Sequence, residues 1–165
     1  MQEKGFLPSN IAVKVSALHN YIDLYQCCRN VFAKILLEEM PSHRVYEDDK
    51  TLAFMDIMPV AKGHTLVIPK TKATNIFEMD EEYLVAVAKT TKKIAAAIRQ
   101  SLDPSGVIIT QLNGSTAGQT VFHYHMHVIP VYDHAPFQPH PSSVEESKTL
   151  SLIATTIKEG LAADG

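Results

Sequence analysis

An α+β fold built on an antiparallel sheet is what this chain predicts, on three observations. Short β-like runs at 45–47, 51–57 and 64–68 are separated by turn signals too short to hold a crossover helix. One long stretch, 80–102, carries apolar residues at three- and four-residue steps, the period of a helix with one buried face. The element order is helix, strands, long helix, strands, helix, which favours segregated helices and paired strands over a doubly wound parallel sheet.

Residues 1–26 have mixed polarity, and 11–25 read either as a short helix or as part of an appended segment. Residues 31–39 (VFAKILLEE) are amphipathic, and Pro41 stops them. The run 47–50 (EDDK) is a polar turn, 51–57 (TLAFMDI) is a strand closed by Pro59 and Gly63, and 64–68 (HTLVI) is a strand ended by Pro69. In the long helix Leu84, Val87, Ala88, Thr91, Ile94, Ala95, Ile98 and Leu102 form the stripe. Asp80 is placed to cap its start, and Asp103-Pro104-Ser105-Gly106 ends it. A strand follows at 107–112, then a loop at 113–118 (NGSTAG), then a last strand at 121–131. Ser143-Val-Glu-Glu146 has the pattern of a capping box, opening a C-terminal helix with a stripe of Leu150, Ile153, Ala154, Ile157 and Leu161. No internal repeat or low-complexity run is present. The domain division expected is an N-terminal extension at 1–26, a core domain at 27–135 and a C-terminal extension with a helix at 136–165.

With 165 residues, 45% hydrophobic and 20% charged, the chain has the balance of a soluble globular domain. A formal charge of −3 argues against a partner held by neutralising many phosphates, so neither nucleic acid nor a membrane surface is expected. A single nucleotide held by a few directed contacts remains compatible with it. The two cysteines, Cys27 and Cys28, are adjacent, a spacing at which a bridge is strained. Together with the lack of an apolar run in the first 26 residues long enough for a signal peptide or a span, this predicts a cytoplasmic protein.

The chemistry concentrates at His123-Tyr-His-Met-His127. On a strand, alternate side chains share a face, so three imidazoles project together at intervals of roughly 6.5 to 7 Å, with Tyr124 and Met126 on the other side. Neutral imidazoles supply nucleophiles, hydrogen bonds and proton donors near neutral pH, as covalent phosphoryl or nucleotidyl transfer requires. His-X-His is also a common pair of zinc ligands, but a catalytic zinc wants a third ligand, and no carboxylate or cysteine follows at a short spacing. Gly118-Gln119-Thr120 lies just upstream. The glycine lets backbone approach an anion, and Gln and Thr offer neutral donors to a phosphate oxygen.

In these residues the chain resembles the histidine triad (HIT) superfamily, in its branch of small nucleotide-binding, phosphoramidase-like hydrolases. The signature stands as His123-Tyr-His-Met-His-Val-Ile129, and 54–57 (FMDI), 64–70 (HTLVIPK) and 117–123 (AGQTVFH) also look family-like, within a similarity spanning about residues 30–132. The resemblance implies a five-stranded antiparallel sheet with a long helix, a short N-terminal helix and a C-terminal helix. It implies His125 as the nucleophile that forms a nucleotidyl-histidine at the α-phosphorus, later released by water. His127 would contact phosphate oxygens, His123 would orient the site through its backbone, and His64 would assist the leaving group. Asp56 matches an acid that accepts from the ribose hydroxyls, and Phe32 and Ile57 match base-pocket positions. Gly118, Gln119 and Thr120 match the phosphate loop, with Asn113 beside it.

Two departures stand out. Some bacterial members bind structural zinc through a Cys-X-X-Cys whose positions here are Asn30 and Ala33, so no metal is expected through that motif and no cofactor is required. A position that is often Asn or Gln in the family is Leu112, flanked by Gln111 and Asn113, which bears on the leaving group. The resemblance further implies a twofold homodimer with 80–102 at its interface. The tail from Asp133, with His134, Phe137 and His140, reads either as reaching the partner's site or as a solvated end. The function expected is cleavage at the α-phosphate of a purine nucleotide, AMP- or GMP-type, in phosphoramidates or related conjugates. The alternatives are hydrolysis of dinucleoside polyphosphates, a binding regulator without catalysis, and a metal-dependent hydrolase.

Overall fold

The computed structural model describes residues 30–133, 135 and 143–163. The expectations for 11–25, for Cys27 and Cys28, and for His134, Phe137 and His140 lie outside the described residues. The elements are α1 (Val31–Leu36), β1 (Arg44–Glu47), β2 (Thr51–Met55), β3 (Thr65–Pro69), a 3-10 turn (Ile76–Glu78), α2 (Glu81–Leu102), β4 (Gly106–Thr110), a 3-10 turn (Ser115–Ala117), β5 (Met126–Val131) and α3 (Ser147–Ala163). The five strands form one antiparallel sheet in the order β1-β2-β3-β5-β4.

β2 and β3 are buried along their whole length. That is why they read as continuous apolar runs rather than as alternating ones: both faces of the sheet are covered. On one face Ala53, Met55, Val67, Tyr124 and Val128 pack with Val87, Ile94 and Ile98 of α2 and with Leu150, Ile153, Ala154 and Ile157 of α3. The C-terminal helix is thus part of the main core. It approaches α2 closely at Gly160, where a Cβ would lie 2.9 Å from the Ala97 carbonyl oxygen. On the other face Leu52, Phe54, Leu66 and Ile68 pack with Phe32 and Ile35 of the short α1. The candidate site lies on this second face, because β3 residue Leu66 pairs with His127 while its neighbour Val67 pairs with Met126 of the core face.

Several boundaries differ from expectation. The last strand begins at Met126, not at 121, and residues 121–125 leave the ladder. β3 ends at Pro69, and the Tyr124 N–H donates instead to the Ala73 carbonyl at 2.7 Å. α1 ends at Leu36, well before Pro41, with Glu38 in the left-handed region at φ 61°. Asp80 stands at the N-cap of α2 but makes no side-chain cap bond. The capping box at Ser143 does not form, since α3 starts at Ser147 with the Glu146 carbonyl accepting from the Leu150 N–H. Asp103 ends α2 with φ 46°, a left-handed residue of the type that tolerates it. No helix among the described residues is long and apolar enough to cross a membrane.

Candidate active site

Asn30 caps α1 by accepting the Ala33 N–H at 2.9 Å, and its amide donates to the Phe122 carbonyl at 3.2 Å. This cap ties the short helix to the chain just before the histidines. It places Phe32 edge-on against His125, at 5.1 Å between centroids, and against His123, at 6.4 Å, with Phe54 behind it at 5.5 Å. In the sequence Asn30 stands out as the position of an absent cysteine, but a cap residue directly before an apolar run is the signal that it opens α1.

His123, His125 and His127 keep to one side although only His127 lies in β5, since Tyr124 and Met126 between them pack into the core on the other face. His125 and His127 are 4.9 Å apart between centroids, and His64 joins them from the start of β3, 5.2 Å from His127. Hydrogen-bond partners assign the neutral tautomers. A carbonyl oxygen can only accept, so His123 Nε2–H donates to Pro69 at 3.0 Å and His125 Nδ1–H donates to the His123 carbonyl at 2.7 Å. His125 Nε2 therefore carries its lone pair toward the site. The Val60 N–H donates to His64 Nδ1 at 3.3 Å, so the His64 proton sits on Nε2 and donates to His127 Nδ1 at 2.9 Å. His127 then carries its own proton on Nε2. A ring nitrogen with a free lone pair thus stands beside a histidine presenting an N–H.

Burial keeps this cluster neutral. It pushes His64 down to about 3, with His127 and His125 adding to the effect. It pushes His123 and His127 each down to about 4, in His123 against an opposing bond to Pro69. His125 is lowered too, by burial, with its bond to the His123 carbonyl opposing. Burial raises the Asp56 carboxyl, while the Met58 N–H on its Oδ1, at 2.8 Å, works the other way. Asp56 Oδ2 lies 3.5 Å from His64 Nδ1.

The other expected residues divide into two groups. Ile57, 53% exposed, projects from the turn after β2, and Gly118 and Thr120 lie exposed on the loop before the histidines. Gly118 adopts φ 94°, with Leu112 beneath it at 3.3 Å from where a Cβ would be. By contrast Gln119 is buried, and its side chain is engaged within the loop. It accepts the Gly114 N–H at 2.8 Å and donates to the carbonyls of Thr74 at 2.6 Å and Val121 at 3.0 Å. These bonds make the side chain a brace of the loop that was expected to contact phosphate. Asn113 is braced likewise, exchanging amide bonds with Gln111 and accepting the Ile76 N–H at 2.8 Å. One neighbour was not foreseen: the Glu145 N–H donates to the Ile57 carbonyl at 2.9 Å, bringing the segment before α3 against the Asp56–Ile57 turn.

Zinc in the Cys-X-X-Cys manner does not fit these residues, since Ala33 has no donor atom and Asn30 is committed to the cap. Asp56, His64 and His127 do offer ligand atoms within 4.8 Å of one another, a set that could hold a divalent ion. An ion there would compete with the His64–His127 bond.

A family model described as HIT domain matches residues 38–134. The chain is 50% identical over 107 residues to a Bacillus subtilis protein named Protein hit, covering 64% of this chain and 74% of that one. It is 34% identical over 109 residues to a Candida albicans protein named Adenosine 5'-monophosphoramidase HNT1, covering 64% and 72%. Among solved structures, a Hit-like protein from Bartonella henselae superposes with a TM-score of 0.77 at 41% identity, over 80% of this chain and 96% of the other.

Proposed function

The chain belongs to the HIT family, and from that premise we propose that it cleaves the bond at the α-phosphate of purine nucleoside phosphoramidates or related nucleotide conjugates. The observation that carries this reading is the pairing of His125 and His127. One backbone bond leaves the His125 Nε2 lone pair free, and the His64 contact leaves an N–H on His127 in the neighbouring ring. A nucleophile and an adjacent donor are what in-line displacement at phosphorus needs.

His125 attacks the α-phosphorus and forms a nucleotidyl-histidine. His127 contacts the phosphate and the departing group, and water then releases the nucleoside monophosphate. Asp56, a largely sheltered carboxylate just after β2, accepts from the ribose hydroxyls, whose two donors match its two oxygens. The base lies between Ile57 and the α1 side of the site. Gly118 and Thr120 supply phosphate contacts, held in shape by Gln119 and Asn113. Leu112 makes that part of the rim apolar, which suits an amine leaving group better than a second charged nucleotide. The relative named as an adenosine 5'-monophosphoramidase supports the same chemistry. The reaction needs no metal. β4, an edge strand with Ile109 44% exposed, suits pairing with a second copy of the chain.

The test is intact-protein mass after mixing with an adenosine phosphoramidate, with and without EDTA, for the wild type and His125→Ala. A transient mass gain of one nucleotidyl group on the wild type alone, unchanged by EDTA, is the expected outcome. Turnover by His125→Ala removes the nucleophile from this reading, and turnover lost in EDTA moves the cluster to metal ligation.

A further inference from the structure

The turn that carries Asp56 and Ile57 is held from two sides. On the side of β3 the Asp56 N–H donates to the His64 carbonyl at 3.0 Å, and the Met58 N–H folds back onto Asp56 Oδ1 at 2.8 Å. On the other side the turn meets the segment that leads into α3. The Glu145 N–H donates to the Ile57 carbonyl at 2.9 Å. Two residues on, the Ser147 hydroxyl lies 3.1 Å from His43 Nε2. The His43 carbonyl in turn accepts the N–H of Met55, the residue before Asp56, at 3.0 Å. Residues 145–147 therefore grip the end of β2 at two points, directly at Ile57 and through His43 at Met55.

The grip has a firm base. α3 begins at Ser147, and Leu150, one turn on, is buried in the same cluster as Val45 and Met55. The helix stays close to α2 as far as Gly160. Core packing thus offsets the entropy of ordering the lead-in, and a segment fixed at its base can fix what it touches. The Ser147–His43 bond forms with either histidine tautomer, because a hydroxyl both donates and accepts. Residues 145–147 lie outside 38–134, the span that the family model matches.

Resting on the nucleotidyl-transfer reading, in which Asp56 accepts from ribose, we propose that the lead-in to α3 determines how strongly the site selects ribose. Ser147, His43 and the Glu145 N–H are positioning groups: they do not touch the nucleotide but set where the Asp56 carboxylate stands. That side chain is 19% exposed, so it meets the sugar from a sheltered place with little room to realign. Hydrogen bonds weaken steeply as their angles open, and a turn released from Glu145 and His43 presents its carboxylate over a wider range of angles. The ribose is unchanged between bound substrate and transition state, so this contact acts on both alike. Its loss raises KM and leaves kcat where it was. His125 is oriented separately, by its bond to the His123 carbonyl, and does not depend on the grip.

The experiment measures kcat and KM for an adenosine phosphoramidate and for its 2′-deoxy analogue. Ser147→Ala removes the hydroxyl that meets His43, Glu145→Pro removes the N–H that Ile57 accepts, and the double variant removes both arms. The wild type should favour the ribose substrate in KM. In the double variant that preference should fall roughly ten-fold, the scale of one hydrogen bond to a charged group, with kcat unchanged on both substrates. Base and phosphate contacts are common to the two substrates and cancel in the ratio. Ser147→Thr, which keeps the hydroxyl, should hold the wild-type ratio. Amide exchange at Met58, whose N–H is held by Asp56 Oδ1, reads the carboxylate without substrate and should quicken in Ser147→Ala. That variant keeps the test decisive if the proline variant does not fold. An unchanged KM ratio, an equal rise in KM on both substrates, or unchanged exchange at Met58 overturns the proposal alone. A wild type that turns over neither substrate overturns the nucleotidyl-transfer reading, and one with the same KM for both overturns the ribose role of Asp56; either takes this proposal with it.

Discussion

Acidification should destabilise this fold through His123 by an amount the structure lets one work out. The ring is fully buried, donates Nε2–H to Pro69 and has no partner for Nδ1 among the described residues. Burial pushes it down to about 4 from an ordinary value of 6.5. Below pH 6.5 the unfolded chain therefore binds a proton at this position that the folded chain refuses. The contribution is complete above pH 6.5 and is lost as pH falls toward 4. Between pH 7 and pH 4.5 the single-site linkage gives a loss of about 2 to 3 kcal/mol. The perturbation is His123→Gln, which can keep a donor for Pro69 but cannot titrate. The assay is urea denaturation of both proteins at the two pH values, so that any constant cost of the substitution cancels in the difference. The wild type should lose about 2 to 3 kcal/mol more than the variant on acidification. Parallel losses in the two proteins would refute the argument that the buried, neutral ring carries this acid sensitivity.

Two further substitutions test the packing that holds the site. Gly160→Ala sets a methyl 2.9 Å from the Ala97 carbonyl and 3.1 Å from Ser101 Cβ, forcing α2 and α3 apart. It should lower unfolding free energy by about 1 to 3 kcal/mol in chemical denaturation, and an unchanged value would mean that the helices part freely. Gln119→Ala leaves the Gly114 N–H and the Thr74 and Val121 carbonyls without their partner. It should cost about 1 to 3 kcal/mol and speed amide exchange at Gly114, whereas unchanged exchange there would show that the loop holds its shape without the brace. These join the adduct test on His125→Ala.

The parts of the molecule legible in its sequence are those set by short-range periodicity. The stripe from Leu84 to Leu102 became α2, and the apolar runs at 51–57 and 64–68 became β2 and β3, trimmed by a residue or two where Asp56 and His64 turn toward the site. The alternation of His123, His125 and His127 with Tyr124 and Met126 placed the imidazoles on one face even where the ladder fails. What the sequence concealed depended on partners far along the chain. Nothing local says that Tyr124 bonds to Ala73, or that Gln119 reaches Thr74 across 45 positions. The order of bonds from Val60 through His64 to His127 is equally invisible, because it fixes tautomers that exist only once β3 and β5 are adjacent. The capping-box pattern at Ser143 failed because the Glu146 N–H that Ser143 would have accepted donates to Glu145 Oε1 at 3.0 Å, while the Glu145 N–H is taken by Ile57 far along the chain.

The bond from His125 Nδ1 to the carbonyl of His123 joins a side chain to its own main chain two residues back. A carbonyl cannot be mutated away, so no replacement elsewhere can directly delete the acceptor that orients this ring. On the proposed reading the base pocket and the leaving-group rim are built from side chains and are free to drift across descendants of this fold. The orientation of His125 Nε2, the proposed attacking nitrogen, is inherited with the chain trace itself, so that on this reading substrate preference can evolve around an atom that stays where it is.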